Sequence, residues 1–166
     1  VFWISLWNTV YYTIGTVPLS MVLGLAGAIL LNRKIPLRAF FRGVFFAPVV
    51  VSLVATGLIW AWLYNPNFGL FNHLLSMVGI EPIGWLTSKT LAMPAVIITT
   101  LWVRIGYCLV IYLAGLQAIP ESLYEAAVID GANSWQKFWY VTLPMLKPTT
   151  VFVLVISVIY GFMVFD

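Results

Sequence analysis

Apolar residues fall into four long runs, parted by short stretches that carry nearly all the charge and most of the turn-forming residues. The first run reaches back from Leu31 to at least Val10, with Trp3, Trp7, Tyr11 and Tyr12 at its front. The second is Gly43 to Tyr64, the third Leu91 to Leu116 and the fourth Thr149 to Phe165. About 20 apolar residues cross a hydrocarbon core as a helix, so each run reads as a span, the fourth slightly short and continuing past residue 166. The pattern predicts an all-α, polytopic transmembrane helical bundle with spans at about 9–31, 43–64, 91–116 and 149–166. Ser20, Gly24 and Ala28 lie four apart on the first span, a small-residue stripe that lets another helix approach closely. Pro48 loosens the start of the second span, and Trp60, Trp62 and Tyr64 crowd its far end as at a headgroup boundary.

The stretches between the runs set an orientation. Arg33, Lys34, Arg38 and Arg42 place four of the chain's eight basic residues in ten positions without an acid, which predicts a cytoplasmic turn. The 65–89 stretch then lies outside, broken by Pro66, Gly69, Gly79, Pro82 and Gly84. Within it Phe71, Leu74, Leu75 and Val78 recur at helical spacing, as in a short amphipathic helix at the interface. His73 has no cysteine or acid beside it and reads as a surface residue. The 117–148 loop falls inside again, and Lys137 and Lys147 agree with that although its acids outnumber them.

The longest polar interruption of the second half is EAAVIDGANSWQKFWYVTLP, Glu125 to Pro144. Pro120 suits the first turn of a helix, where its missing N–H is no loss, and Glu121 favours the positive end of the dipole. Gly131 supplies the stop, since it adopts a left-handed backbone without steric cost. Asn133 can cap a second helix, with Gln136 reaching back as in a capping box. Trp135, Phe138 and Trp139 share one side of that helix, and Pro144 is expected to end it. The stretch reads as a helix–bend–helix unit between two spans; an amphipathic linker on the membrane surface is the plainer alternative.

The same residues carry a resemblance. Glu125-Ala126-Ala127, then Gly131, then Val141, Leu143 and Pro144 at these spacings resemble the EAA motif of ABC importer permeases, with Val141 where the family usually has Ile. The extended stretch from Ala114 to Pro148 resembles the maltose/glycerol-phosphate-type sugar-permease branch of the binding-protein-dependent transport family. The resemblance implies a type I ABC importer permease fold, of which this chain is a fragment: about four of the family's six helices, with Phe165-Asp166 inside the penultimate one. It implies that 117–148 is a cytoplasmic coupling loop, with Glu125, Ala126, Ala127, Asp130, Gly131, Leu143 and Pro144 on or shaping the surface that meets a separate ATP-binding cassette ATPase. It further implies a second permease subunit, an extracytoplasmic solute-binding protein seated over 65–89, and a bacterial or archaeal plasma membrane. The cargo would be an oligosaccharide, a monosaccharide or a sugar phosphate. No cofactor is expected on this chain, ATP and Mg²⁺ being held by the partner; GxxxxGK[ST] is absent from the sequence.

Composition narrows the classes that remain. The 166 residues are 63% hydrophobic and 8% charged, against about 25% charged in soluble domains, which marks a membrane protein. The net charge of +3 is small and gives no pointer to nucleic acid. One cysteine, Cys108, allows no internal disulfide. With a single His and a single Cys far apart, no nucleophile–base pair or metal cluster for an intramembrane enzyme is visible. A non-catalytic scaffold or channel subunit, using the helix–bend–helix loop to dock another protein, remains the alternative to a permease. Val1 is not Met and Asp166 directly follows an apolar run, so the chain is expected to be the middle of a longer polypeptide.

One charge breaks the third run. Arg104 sits near its centre, where a charge costs about 2.5–3.5 kcal/mol on insertion scales and must face a bundle interior or water. Two readings stand side by side: a pathway-lining residue, with Tyr107 at i+3 on the same face, or a structural pair, for which Asp166 is a candidate. No family role is matched to Arg104.

Overall fold

A computed structural model describes residues 2–33 and 36–165. Lys34 of the basic turn and Asp166, the candidate partner of Arg104, lie outside the described residues. Every regular element described is helical: α1 (Phe2–Asn32), α2 (Arg38–Val50), α3 (Leu53–Leu63), α4 (Leu70–Met77), α5 (Ala92–Gln117), α6 (Glu121–Ile129), α7 (Ser134–Lys137), a π turn (Phe138–Thr142), α8 (Leu143–Met145), α9 (Lys147–Phe162) and a closing 3₁₀ turn (Met163–Phe165).

Helices α1 and α5 are each long and apolar enough to cross a membrane unaided. They pack together along most of their length through the small residues on α1. Ser20 and Ala28 are almost fully buried, and a Cβ added at Gly24 would lie 2.5 Å from Cys108 Cβ. The stripe read from the sequence is thus a helix-packing seam. Contacts climb both helices together, Gly15 against Ile97, Gly24 against Cys108 and Gly27 against Leu109, so α1 and α5 run parallel. Helix α9 runs the other way: Thr149 meets Gly115, while Gly161 meets Thr13. The core between these three helices is built of Ala28, Leu31, Leu109, Tyr112, Leu113, Leu116 and Val153, all buried.

The second apolar run, expected as one span, is not one continuous helix. It folds as α2 and α3, bent by 100° at Val51–Ser52. Pro48 is buried inside α2 and the break comes after it. Ser52 explains the position: its backbone is extended and its hydroxyl accepts from Ala55 N at 3.2 Å, so it caps α3 and starts a new helix. Helix α2 leans on α5, where a side chain at Gly106 would run into the Phe45 carbonyl.

This arrangement sorts the connections to two ends. The ends of α1 and α5 and the start of α9 share one end, with Arg33 and the 121–145 segment. There Gln117 closes α5 against α2: with its amide turned so that the oxygen faces the guanidinium groups, it accepts from Arg42 Nη2 at 2.8 Å and Arg38 Nη2 at 2.9 Å. The 65–89 segment sits at the other end, tied by Tyr64 Oη donating to Ala95 O at 2.9 Å. Its helix α4 is the short amphipathic one expected, and His73 is exposed.

Candidate functional site

Two places carry the candidate residues. The first is the segment from Glu121 to Met145, where the local code of the sequence is executed closely. Pro120 is the N-cap of α6, one position earlier than the first-turn place expected, and Glu121 occupies the first turn. At the other end Ala132 N–H donates to Ala127 O at 2.8 Å and Gly131 N–H to Val128 O at 3.0 Å. That pair of bonds, with Gly131 at φ +79°, is a Schellman stop. A Cβ at Gly131 would meet nothing within 4 Å, so its demand is conformational, not steric. Asn133 Oδ1 accepts from Gln136 N at 2.9 Å while Asn133 N donates to Gln136 Oε1 at 2.8 Å, a complete capping box on α7. Trp135, Phe138 and Trp139 then stack on one side, with ring centroids 5.6–6.1 Å apart.

Pro144 does not end the second helix, contrary to expectation. The chain passes through the π turn, α8 and a break at Leu146, where it bends by 61° into α9. Proline in an α-helix clashes with the carbonyl four residues back. Here Leu143 N–H bonds Phe138 O, five back, and the wider turn carries the chain past Pro144 without stopping. The break at Leu146 is anchored, since Leu146 is 1% exposed and belongs to the core between α1, α5 and α9.

A link that spacing did not suggest joins the two arms. Tyr124 Oη and Thr142 Oγ1 lie 2.9 Å apart, and Thr142 also approaches Lys137 O at 3.4 Å. The link spans 18 residues and fastens α6 to the π turn. Glu125, Ala126, Asp130, Gly131 and Pro144 are exposed, Ala127 and Leu143 half-buried, and no residue of α6 is buried. The unit is therefore internally satisfied and outwardly open.

The second place is a cavity of about 740 Å³ between α1, α3, α5 and α9. Tyr12, Thr56, Trp60, Thr100, Arg104 and Tyr160 are among its lining. Arg104 is half-buried, with its guanidinium carbon 4.4 Å from the centroid of the Tyr160 ring. Such a stack contributes about 0.5–2 kcal/mol, depending on desolvation. Tyr12 Oη donates to Thr100 Oγ1 at 2.9 Å and fixes the wall next to it. Tyr107 is half-buried and stands outside this lining, so the structure does not bring the two proposed pathway residues into one cavity. Tyr12, Thr56, Trp60 and Tyr160 come from three other helices, and no spacing rule on α5 could have pointed to them.

Residues 17–165 match the family model described as the binding-protein-dependent transport system inner membrane component. The chain belongs to that family. Among curated relatives, it is 41% identical over 169 residues to the lactose transport system permease of Rhizobium radiobacter. It is 38% identical over 165 residues to the trehalose/maltose transport system permease of Thermococcus litoralis, and 38% over 166 residues to the sulfoquinovosyl glycerol transport system permease of Agrobacterium fabrum. These matches cover 99–100% of the chain and 54–56% of each relative, so the chain spans a little over half the length of the permeases it resembles. Its fold matches a solved bacterial ABC transporter for the acidic polysaccharide alginate, with TM-score 0.86 and 26% identity over 95% of this chain and 56% of that one. It matches that transporter in complex with an alginate pentasaccharide-bound periplasmic protein at TM-score 0.83 and 27% identity, over 90% and 53%. The all-α bundle is thus an ABC importer permease fold, the family read from the EAA residues.

Proposed function

We propose that this chain is the transmembrane permease part of a binding-protein-dependent ABC importer for sugars or sugar phosphates, in a bacterial or archaeal plasma membrane that it crosses several times. The observation that carries the proposal is the 121–145 unit: an exposed helix–bend–helix, capped at both inner ends, standing at the end of the bundle where Arg33, Arg38 and Arg42 cluster. Positive residues favour the cytoplasmic side, where a nucleotide-hydrolysing partner would be found. Glu125, Ala126 and Asp130 offer that partner an open acidic and small-residue surface, while Gly131 and Leu143–Pro144 hold the bend and the joint. ATP and Mg²⁺ would bind the partner and not this chain. Movement of the unit would reach α9 through Leu146, and α5 through Ile119, both buried in the core. A second permease would complete the path, and a solute-binding protein would deliver cargo at the 65–89 end. The lining of the cavity around Arg104, aromatic and hydroxyl-bearing, suits a saccharide crossing between helices. The relatives that transport lactose and trehalose/maltose support the sugar class.

The test is reconstitution of the full-length permease with its ATPase, second permease and binding protein. Glu125→Lys reverses a surface charge, and Gly131→Pro forbids the positive φ. Both should leave the protein inserted yet cut uptake by about tenfold or more, as loss of a charge-assisted contact or of the bend would. Normal transport in both variants would favour a scaffold or channel subunit instead.

A further inference from the structure

Arg104 is the one charged side chain among the described residues lining the cavity between α1, α3, α5 and α9, and that lining holds no carboxylate. The four described acids, Glu81, Glu121, Glu125 and Asp130, all lie in segments outside these helices. What Arg104 does touch is the face of Tyr160, 4.4 Å from the ring centroid. A ring face holds the planar guanidinium in place, and among the described residues no carboxylate pairs with its edge N–H donors. Thr56 also lines the cavity, with its Oγ1 fully buried and unpaired, as are Thr13 Oγ1 and Ser157 Oγ. An arginine in a membrane-spanning segment with no carboxylate beside it among the described residues is rare. The opposite wall supplies the broad indole of Trp60. Its volume of about 740 Å³ lies within the range of small-molecule sites.

We infer that the cavity selects a saccharide bearing an oxyanion, with Arg104 binding the anionic group and Trp60 the apolar face of a ring. This rests on the saccharide reading above and narrows it: the cargo is acidic, and Arg104 is a specificity residue, not a packing residue. The guanidinium fork matches a carboxylate in two parallel N–H···O bonds, which a neutral sugar hydroxyl cannot reproduce. Tyr160, which holds the guanidinium from below, acts as a positioning residue.

The experiment uses the assembled transporter, without its binding protein so that delivery does not mask the permease's own preference. A trisaccharide of hexuronic acids, its methyl ester and the neutral hexose trisaccharide are compared by equilibrium dialysis. Wild type should hold the uronate about thirtyfold or more tightly than either uncharged form, the size expected for one desolvated charge pair. Arg104→Gln should bring the three affinities together, and Arg104→Lys should recover part of the preference. Equal affinity for the three in wild type overturns the inference and leaves the saccharide reading standing; it would mean that Arg104 is neutralised by a carboxylate outside the described residues or by another subunit. Binding of none of them, together with no uptake of any saccharide by the complete system, overturns the saccharide reading itself. Should Arg104→Gln fail to insert, the ester against the acid on wild type decides the matter alone.

Discussion

The two non-spanning segments sit at opposite ends of the bundle and are stabilised in opposite ways. In 121–145 nearly every fastening is local: the Schellman bonds run from Gly131 and Ala132 back to Val128 and Ala127, and the capping box links Asn133 to Gln136. In 65–85 one side chain joins the two arms of the segment. Asn72, 5% exposed, donates to Pro66 O at 3.1 Å and Ile83 O at 2.9 Å, and accepts from Ile83 N at 3.2 Å and Trp85 Nε1 at 3.0 Å. Around it Trp60, Tyr64, Phe71 and Trp85 pack ring against ring. A segment built from local caps keeps its shape while moving as a body. The 65–85 segment is closed on itself by one buried amide and held to the bundle by the packing of Phe71 and Trp85 on Trp60 and Tyr64. That contrast suits a lever at one end and a fixed platform at the other.

Asn72→Ala is the strongest way to break the contrast. It strips partners from the backbone of Ile83 and from the Trp85 indole, and each buried group left unpaired costs about 1–3 kcal/mol. Hydrogen exchange and proteolysis across residues 66–85 should rise sharply while 121–145 stays protected as before. Protection lost equally in both segments would mean that the two ends are not independent. The smaller effect is at the other end. Asn133→Ala removes one half of a capping box, worth about 1 kcal/mol, and should loosen α7 and the π turn while α6 keeps its Schellman stop. Circular dichroism of the whole chain would barely change; exchange at Gln136 N–H, which loses its acceptor, should report it.

The same contrast explains what could be read from the chain beforehand. The bend at Gly131, the cap at Asn133 and the aromatic side of α7 follow from rules that act within five residues, and all are present. The helical class and the packing stripe on α1 follow from composition and spacing. The 100° bend at Val51–Ser52 does not show in the sequence, because a serine in an apolar run reads as a tolerated polar residue until its hydroxyl is seen capping α3. Pro144 alone does not mark a stop, since a π turn can carry a chain past a proline. The cavity around Arg104 was only half visible. The charge stood out, but its wall includes Tyr12 and Thr100, a hydrogen-bonded pair 88 residues apart, and only the packing of α1 on α5 brings them together.

As the coupling unit proposed above, 121–145 would face the cytoplasm and be covered there by the ATPase. Ser134→Cys tests it most directly, because Ser134 is exposed and the native Cys108 is fully buried. A membrane-impermeant maleimide should label the new thiol in inside-out vesicles stripped of the ATPase, less once the ATPase is added back, and not in intact cells. Labelling in intact cells, or labelling that the ATPase does not diminish, would contradict it.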